Sequence, residues 1–201
     1  MTILAFPTIA SPSAVSWWLR GNTQTHRSPF DGTAQTLSMP GARWEASVQW
    51  EILNGEDRRA LEAFIASLEG AAGRFYFGPP HGFRRGTGTG PVTIKTAGQT
   101  GKSLVTTGWT GGTPFEVGDW LSFEASGRRY LHIVTVPGTP AGGDLTCGIS
   151  PPIRRSPAAG SVVEIAAPTG IFMLASDDAG EMQVRAPQLG AVSLDIVEAL
   201  A

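Results

Sequence analysis

The chain is poor in the residues from which most functional signatures are built. Cys147 is its only cysteine, which excludes an intrachain disulfide and a zinc site made of several thiolates. The three histidines, His26, His81 and His132, are far apart and in no ligand spacing. Charge is scarce too. Asp, Glu, Lys and Arg make up 16% of the chain, against a usual share near 25%, and the net charge is −2. Disordered and coiled-coil polypeptides have a different composition, and so small a balance gives no strong pull toward free nucleic acid or an anionic membrane. No apolar run approaches the ~20 residues of a membrane-spanning helix. The opening Met1-Thr2-Ile3-Leu4-Ala5-Phe6-Pro7 lacks a basic stretch and is broken by proline, unlike a secretory signal. The expectation is a soluble protein made in the cytoplasm.

Glycine and proline, by contrast, are abundant, with 26 and 15 copies. Such punctuation breaks long helices and suits short strands joined by turns. The sharpest pattern runs from Ala42 to Leu53. Trp44, Ala46, Val48, Trp50 and Ile52 alternate with Glu45, Ser47, Gln49 and Glu51, the period of a half-buried strand with one apolar and one polar face. Strands are also expected over 14–20 and 33–39. The period then changes: Leu61, Phe64, Ile65 and Leu68 recur at helical spacing after Asn54, a capping residue, and the acidic first turn Glu56-Asp57. Gly70 is the expected stop. This helix should lay its apolar stripe on the tryptophan face of the preceding strand.

After a Gly/Pro-rich linker at 78–91, six short strands are expected over 92–96, 103–107, 119–123, 129–136, 144–149 and 161–165. That density fits a small barrel or sandwich. Two-faced strands return in the tail, where Met182 and Val184 alternate with Gln183 and Arg185, and Val192, Leu194 and Ile196 with Ser193 and Asp195. The predicted organisation is a mainly β protein: a domain split between residues 1–80 and 166–201, with a β-barrel domain inserted over 81–165.

Chemical signatures are weak. Gly98-Gln99-Thr100-Gly101-Lys102-Ser103 looks like the end of a phosphate-binding loop. Thr96 stands where the first glycine should be, however, and a strand-like run follows the serine, so a hairpin turn is the better account. Asp177-Asp178, between Ser176 and Gly180, reads as a solvated turn more readily than as an acid–base pair. His132 is expected on the outer face of a strand. The arginine pairs 84–85, 128–129 and 154–155 suit a barrel rim or a protein contact. No catalytic residue, cofactor site or metal site can be nominated, and an enzyme is not expected.

One resemblance emerges from longer strings. Trp18-Leu19-Arg20-Gly21-Asn22-Thr23-Gln24, Ser28-Pro29-Phe30-Asp31-Gly32-Thr33-Ala34-Gln35-Thr36 and Gly41-Ala42-Arg43-Trp44-Glu45-Ala46-Ser47-Val48 resemble the start of a tail component of long-tailed phages. Arg58-Arg59-Ala60-Leu61-Glu62-Ala63-Phe64, Gly73-Arg74-Phe75, Gly118-Asp119-Trp120 and Pro151-Pro152-Ile153-Arg154 resemble its later parts. With the length and split organisation, the chain is most similar to the distal tail proteins of siphophage-type bacteriophages and prophages. The resemblance implies a tail-tube-like antiparallel β-sandwich with one flanking helix, plus an extra β-domain. It implies a homo-hexameric ring that joins the tail tube protein to the tail tip or baseplate hub protein, assembled in the host bacterial cytoplasm and located in the virion. Phage DNA would pass through the lumen without specific binding, and no membrane is implied. In such a ring Glu45, Ser47, Gln49, Glu51, Gln183, Arg185, Ser193 and Asp195 are the candidate lumen-facing residues. The alternative is a carbohydrate-binding β module for attachment to a host surface, with Trp109, Trp120 and Tyr130 as candidate glycan contacts.

Overall fold

The computed structural model describes residues 2–79, 84–180, 182–185 and 189–200, positions 182–185 and 189–190 by backbone alone. Residues 80–83 of the expected linker lie outside this set. In chain order the strands are β1 (Ile3–Ala5), β2 (Ala14–Arg20), β3 (Thr23–Arg27), β4 (Ala34–Ser38), β5 (Arg43–Leu53), β6 (Arg74–Phe77), β7 (Thr93–Ile94) and β8 (Gly101–Thr107). They continue with β9 (Trp120–Ala125), β10 (Arg128–Val136), β11 (Asp144–Ile153), β12 (Val163–Glu164), β13 (Gly170–Leu174), β14 (Met182–Arg185) and β15 (Leu189–Glu198). One α-helix, α1 (Gly55–Leu68), stands between β5 and β6. The protein is mainly β, with antiparallel sheets and a nearly closed barrel-like sheet.

Two compact units divide the chain: Met1–Phe6 with Arg74–Phe172, and Pro7–Gly73 with Met173–Ala201. The units alternate along the chain, so neither is a simple insert in the other, and residues 74–80 and 166–172 fall with the barrel segment instead of with the flanking parts. The reason is strand pairing. β6 takes β1 as a parallel neighbour, with Ile3 opposite Arg74, and β13 as an antiparallel one, with Ile171 opposite Tyr76. Phe6, Phe75, Phe77 and Phe172 then pack ring against ring, with centroids 5.1–6.4 Å apart. Backbone ladders and aromatic burial therefore hold β1, β6 and β13 to one another.

The barrel follows the strand order β12-β9-β10-β11-β8-β7. All six expected strands are present. Val163 N–H donates to Val92 O and Ile94 N–H to Ser161 O, both at 2.9 Å, which brings the two ends of the sheet together and satisfies edge groups that would otherwise stay open. The interior is filled by Val92, Ile94, Leu104, Phe115, Leu121, Phe123 and their neighbours. Gly98–Lys102 forms the turn into β8, and the Gln99 side chain closes it with bonds to Thr96 O, Val105 O and Val105 N. A strand follows the serine, as the hairpin reading requires.

His132 is the exception to the expected pattern. It faces inward, fully buried, with its ring stacked on Phe123 at 4.9 Å. Its Nδ1–H donates to Pro151 O at 2.9 Å, and Nε2 has no hydrogen-bond partner among the described residues. Burial, the largest influence, drives its pKa down to about 3, with Pro151 opposing and Arg154 adding to the shift. The unfolded chain, titrating near 6.5, therefore binds a proton that the folded chain refuses between about pH 6.5 and pH 3. Stability is complete above that window and falls with pH inside it, by about 1.4 kcal/mol per unit. Urea denaturation at pH 7, 6, 5 and 4 should show this slope, and His132→Phe should flatten it by one proton. An unchanged slope in the variant would assign the acid sensitivity to other groups.

In the second unit β5 is flanked by β2 and β15, and β14 adds to β15. Trp44, Ala46, Val48 and Trp50 are buried, as are Val192, Leu194 and Ile196 opposite them. Helix α1 lies against β5 and β15. Its N-cap is Asn54, whose Oδ1 accepts from Glu56 N and Asp57 N at 3.0 and 2.8 Å, satisfying two of the helix's orphan donors. Leu61, Phe64 and Leu68 are buried, while Ile65 is half-buried. The helix ends at Leu68 with Glu69 as its left-handed C-cap at φ 53°, and Gly70, the expected stop, follows at φ 74°. Asp177 then holds the following turn by accepting from Ala71 N at 2.9 Å, which gives one of the two adjacent aspartates a structural task.

The alternation of β5 fails at its end. Trp50 pairs with Val192 and Leu53 with Gly190, so two residues, Glu51 and Ile52, face the single Ala191. That β-bulge turns the phase of the strand. Ile52, expected in the core, is 65% exposed, and Leu53 is fully buried in its place.

Candidate functional surface

Opposite the buried face of β2, β5 and β15 lies a polar one, and register decides its composition. Ser16 and Asp195 flank Ser47, Ala14 and Ser193 flank Gln49, and Trp18 and Val197 flank Glu45; directly paired residues share a face. Five of the eight candidate residues, Glu45, Ser47, Gln49, Ser193 and Asp195, are therefore neighbours. Backbone pairing sets Gln183 opposite Ala191 and Arg185 opposite Leu189, but their side chains lie outside the described residues. Glu51 sits in the bulge and is displaced from the row.

The electrostatics also differ from a row of free carboxylates. Glu45 is clamped by Arg43 at 3.1 Å and Arg20 at 3.5 Å, and Trp18 Nε1–H donates to it at 3.2 Å. Two guanidinium groups answer its single charge, so this end of the face is not acidic. At the other end a recess of about 440 Å³ is lined by Glu51, Asp178 and Asp195 together with Gln49, Gly180 and Ser193. Its described lining holds three carboxylates and no cation.

Most of the candidate glycan contacts are unavailable. Trp109 and Tyr130 are 6% and 5% exposed. Trp109 stands edge-on to Phe115 at 4.8 Å and donates from Nε1 to Thr106 Oγ1 at 2.8 Å, while Tyr130 is part of the barrel interior. A sugar needs an open aromatic face, and both faces are covered by the core. Trp120, on the other hand, is half-buried on β9. The arginine pairs are also partly structural: Arg84 lies over Trp109 and Phe115, and Arg129 lies 4.8 Å over Tyr76 while donating to Thr169 Oγ1 and Glu124.

Two features had little sign in the sequence, although β4 falls within the strand expected over 33–39. Asp119, 1% exposed, accepts from the N–H groups of Arg85, Gly86 and Glu116 at 2.6, 2.9 and 2.8 Å. The second is a projecting hairpin. β3 and β4 pair with each other, Thr23 opposite Ser38 through Arg27 opposite Ala34, and every residue in both is exposed. They continue the β2–β5 ribbon beyond an irregular step, where Met39 N–H donates to Asn22 O and Asn22 Nδ2 to Pro40 O, each at 2.7 Å. Gly41, at φ 113°, makes that step. The run of threonine and glutamine in β3 carries no apolar alternation, so its strand signal was absent.

No family model matches this chain, and no curated protein matches it.

Proposed function

We propose that the chain is a non-enzymatic virion structural protein, a distal tail protein. Six copies close a ring between the tail tube protein and the tail tip or baseplate hub protein, and phage DNA passes through the lumen without specific binding. It is assembled in the host bacterial cytoplasm and resides at the tail tip. The observation that carries this reading is the polar face of β2–β5–β15, bordered by β2, whose outer side has no strand neighbour among the described residues. An open edge invites pairing with another chain, and a ring of such faces gives a continuous polar wall. Glu45 and Asp195 against Arg20 and Arg43, with Ser47, Gln49 and Ser193, form a nearly neutral wall in this arrangement, which lets phosphates slide past. The string resemblance and the single helix beside an antiparallel sheet support the same reading.

Size-exclusion chromatography with light scattering tests it, with a sixfold mass expected. Gln49→Lys with Ser193→Lys then builds a basic collar at exposed positions. The variant ring should retain short duplex DNA at low salt and lose it as salt rises, because retention depends on counterion release, whereas the wild-type ring should not retain it. A monomer that binds glycans would instead favour the attachment module. A ring whose DNA binding ignores the lysines would move the lumen to another face.

A further inference from the structure

We propose that Asn54, followed by Gly55, is a self-modification site. Its side-chain amide closes onto the Gly55 backbone nitrogen and is converted to aspartate or isoaspartate, at a rate set by the first turn of α1. No enzyme takes part, and the site is independent of any ring.

The chemistry needs an electrophilic side-chain carbonyl and an unhindered nitrogen one residue on. The Gly55 nitrogen attacks Asn54 Cγ, the Cγ–Nδ2 bond breaks, and the Gly55 proton leaves with ammonia. Water then opens the five-membered imide. Hydrolysis at Cγ leaves aspartate, whereas hydrolysis at the former main-chain carbonyl leaves isoaspartate, whose backbone runs through Cγ and is one carbon longer. Glycine, without a Cβ, offers the least hindered nitrogen. The sequence holds only two asparagines, Asn22 and Asn54. Thr23 follows Asn22 and shields its nitrogen with a branched Cβ, and Asn22 Nδ2 is tied to Pro40 O at 2.7 Å. Asp31-Gly32 is the other pair able to close such a ring, with water leaving. Hydrogen bonds, that of Ser28 foremost and then those of Thr33, hold the Asp31 carboxyl down to about 2, and an ionised carboxylate is a poor electrophile. That leaves Asn54, which is exposed to water.

The fold restrains the reaction. At ψ 166° the backbone of Asn54 is extended, so the Gly55 nitrogen does not eclipse Cβ, as the five-membered ring requires. The side chain is held as well: Oδ1 accepts from Glu56 N–H and Asp57 N–H, and Nδ2 donates to Asp57 Oδ2 at 2.9 Å. Asp57 Oδ2 also accepts from Ala10 N–H at 3.3 Å. Ring closure therefore waits until the first turn of α1 frays and releases these bonds, and element ends open at little cost. Neither product restores the lock. Aspartate sets a second carboxylate against Asp57 where an amide donor stood. Isoaspartate lengthens the backbone and carries the acceptor away from the two N–H groups, so the helix loses its cap.

The test incubates the full chain in mildly alkaline buffer and follows residue 54 by peptide mass mapping and isoaspartyl methyltransferase labelling. Asp57→Ala removes the acceptor of the lock and should speed conversion about tenfold or more, the factor expected for one hydrogen bond to a charged group. Gly55→Ala should all but stop it and still fold, since an added Cβ meets nothing within 4 Å and alanine is the better helix former. Asp119→Ala, in the first unit, should leave the rate unchanged, which separates local fraying from global unfolding. If residue 54 keeps its amide in the wild type and in Asp57→Ala alike, the proposal fails. Equal conversion rates in those two proteins, or the same acceleration by Asp119→Ala, overturn the control by α1. Conversion at Asn22 as fast as at Asn54 overturns the choice of site.

Discussion

Replacing Asp119 by alanine is expected to destabilise the first unit by about 3–5 kcal/mol. The carboxylate lies at the entry to β9, and its two oxygens gather three backbone donors from separate stretches of chain, Arg85 and Gly86 on one side and Glu116 on the other. At 1% exposure, water has little access to replace it. Truncation leaves all three donors without their acceptor in a site that excludes solvent, and a buried unsatisfied donor costs more than a bond contributes when present. The damage spreads because packing is close. A side chain at Gly86 would collide with Pro114 O, and Arg84, next to it, donates to Gly88 O and Pro114 O over the faces of Trp109 and Phe115. Burial pulls the Arg84 guanidinium below its usual range and Asp119 pushes it back, so losing the aspartate also removes a favourable charge beside a partly buried cation. Asp119→Asn keeps one carbonyl acceptor and should lose less. Urea denaturation of the three proteins side by side is the measurement. A loss under about 1 kcal/mol for alanine would mean that the loops relax to find other partners.

The end of β5 yields the second large effect, in a paired form. Leu53→Ala should cost about 2–5 kcal/mol, since the side chain is fully buried and its removal leaves a cavity. Ile52→Ala, one residue earlier, should change stability by no more than about 0.5 kcal/mol, because Ile52 is 65% exposed. The contrast reads out the bulge directly. Uninterrupted alternation from Trp44 predicts the reverse, with Ile52 in the core and Leu53 in solvent. Comparable losses at both positions would show that the strand slides between the two registers.

The sequence was strongest where one local rule acts over many residues. Alternation from Trp44 to Trp50 identifies a strand and its buried side without any partner, because neighbouring side chains of a strand must point to opposite faces. Asn54, the two acids after it and the spacing of Leu61, Phe64 and Leu68 specify the helix in the same local way. Glycine and proline spacing likewise marks six barrel strands. The polar row was legible for the same reason, as parity alone puts Glu45, Ser47 and Gln49 together, and Ser193 with Asp195.

Tertiary pairing decided what parity cannot carry. Which rows stand side by side depends on register between strands about 145 residues apart in the chain, and the bulge at Glu51–Ile52 exists only because Ala191 lies opposite. His132 was expected on an outer face on local grounds, and Tyr130 was a candidate glycan contact in the alternative reading, but barrel closure puts both inside, where desolvation keeps the imidazole neutral. Strand β6 takes β1 on one side and β13 on the other, where four phenylalanines meet, a neighbourhood that no local spacing announces. Asp119 acquires its role from three donors that no spacing announces. The hairpin is a mixed case: a strand was expected over 33–39, where β4 lies, but β3 is polar enough to pass for a loop, and only the ladder between Thr23–Arg27 and Ala34–Ser38 joins the two. Local periodicity reports how a segment divides its own faces between water and core. Which neighbour supplies that core, and where a single extra residue shifts the phase, are settled by long-range hydrogen bonding and close packing.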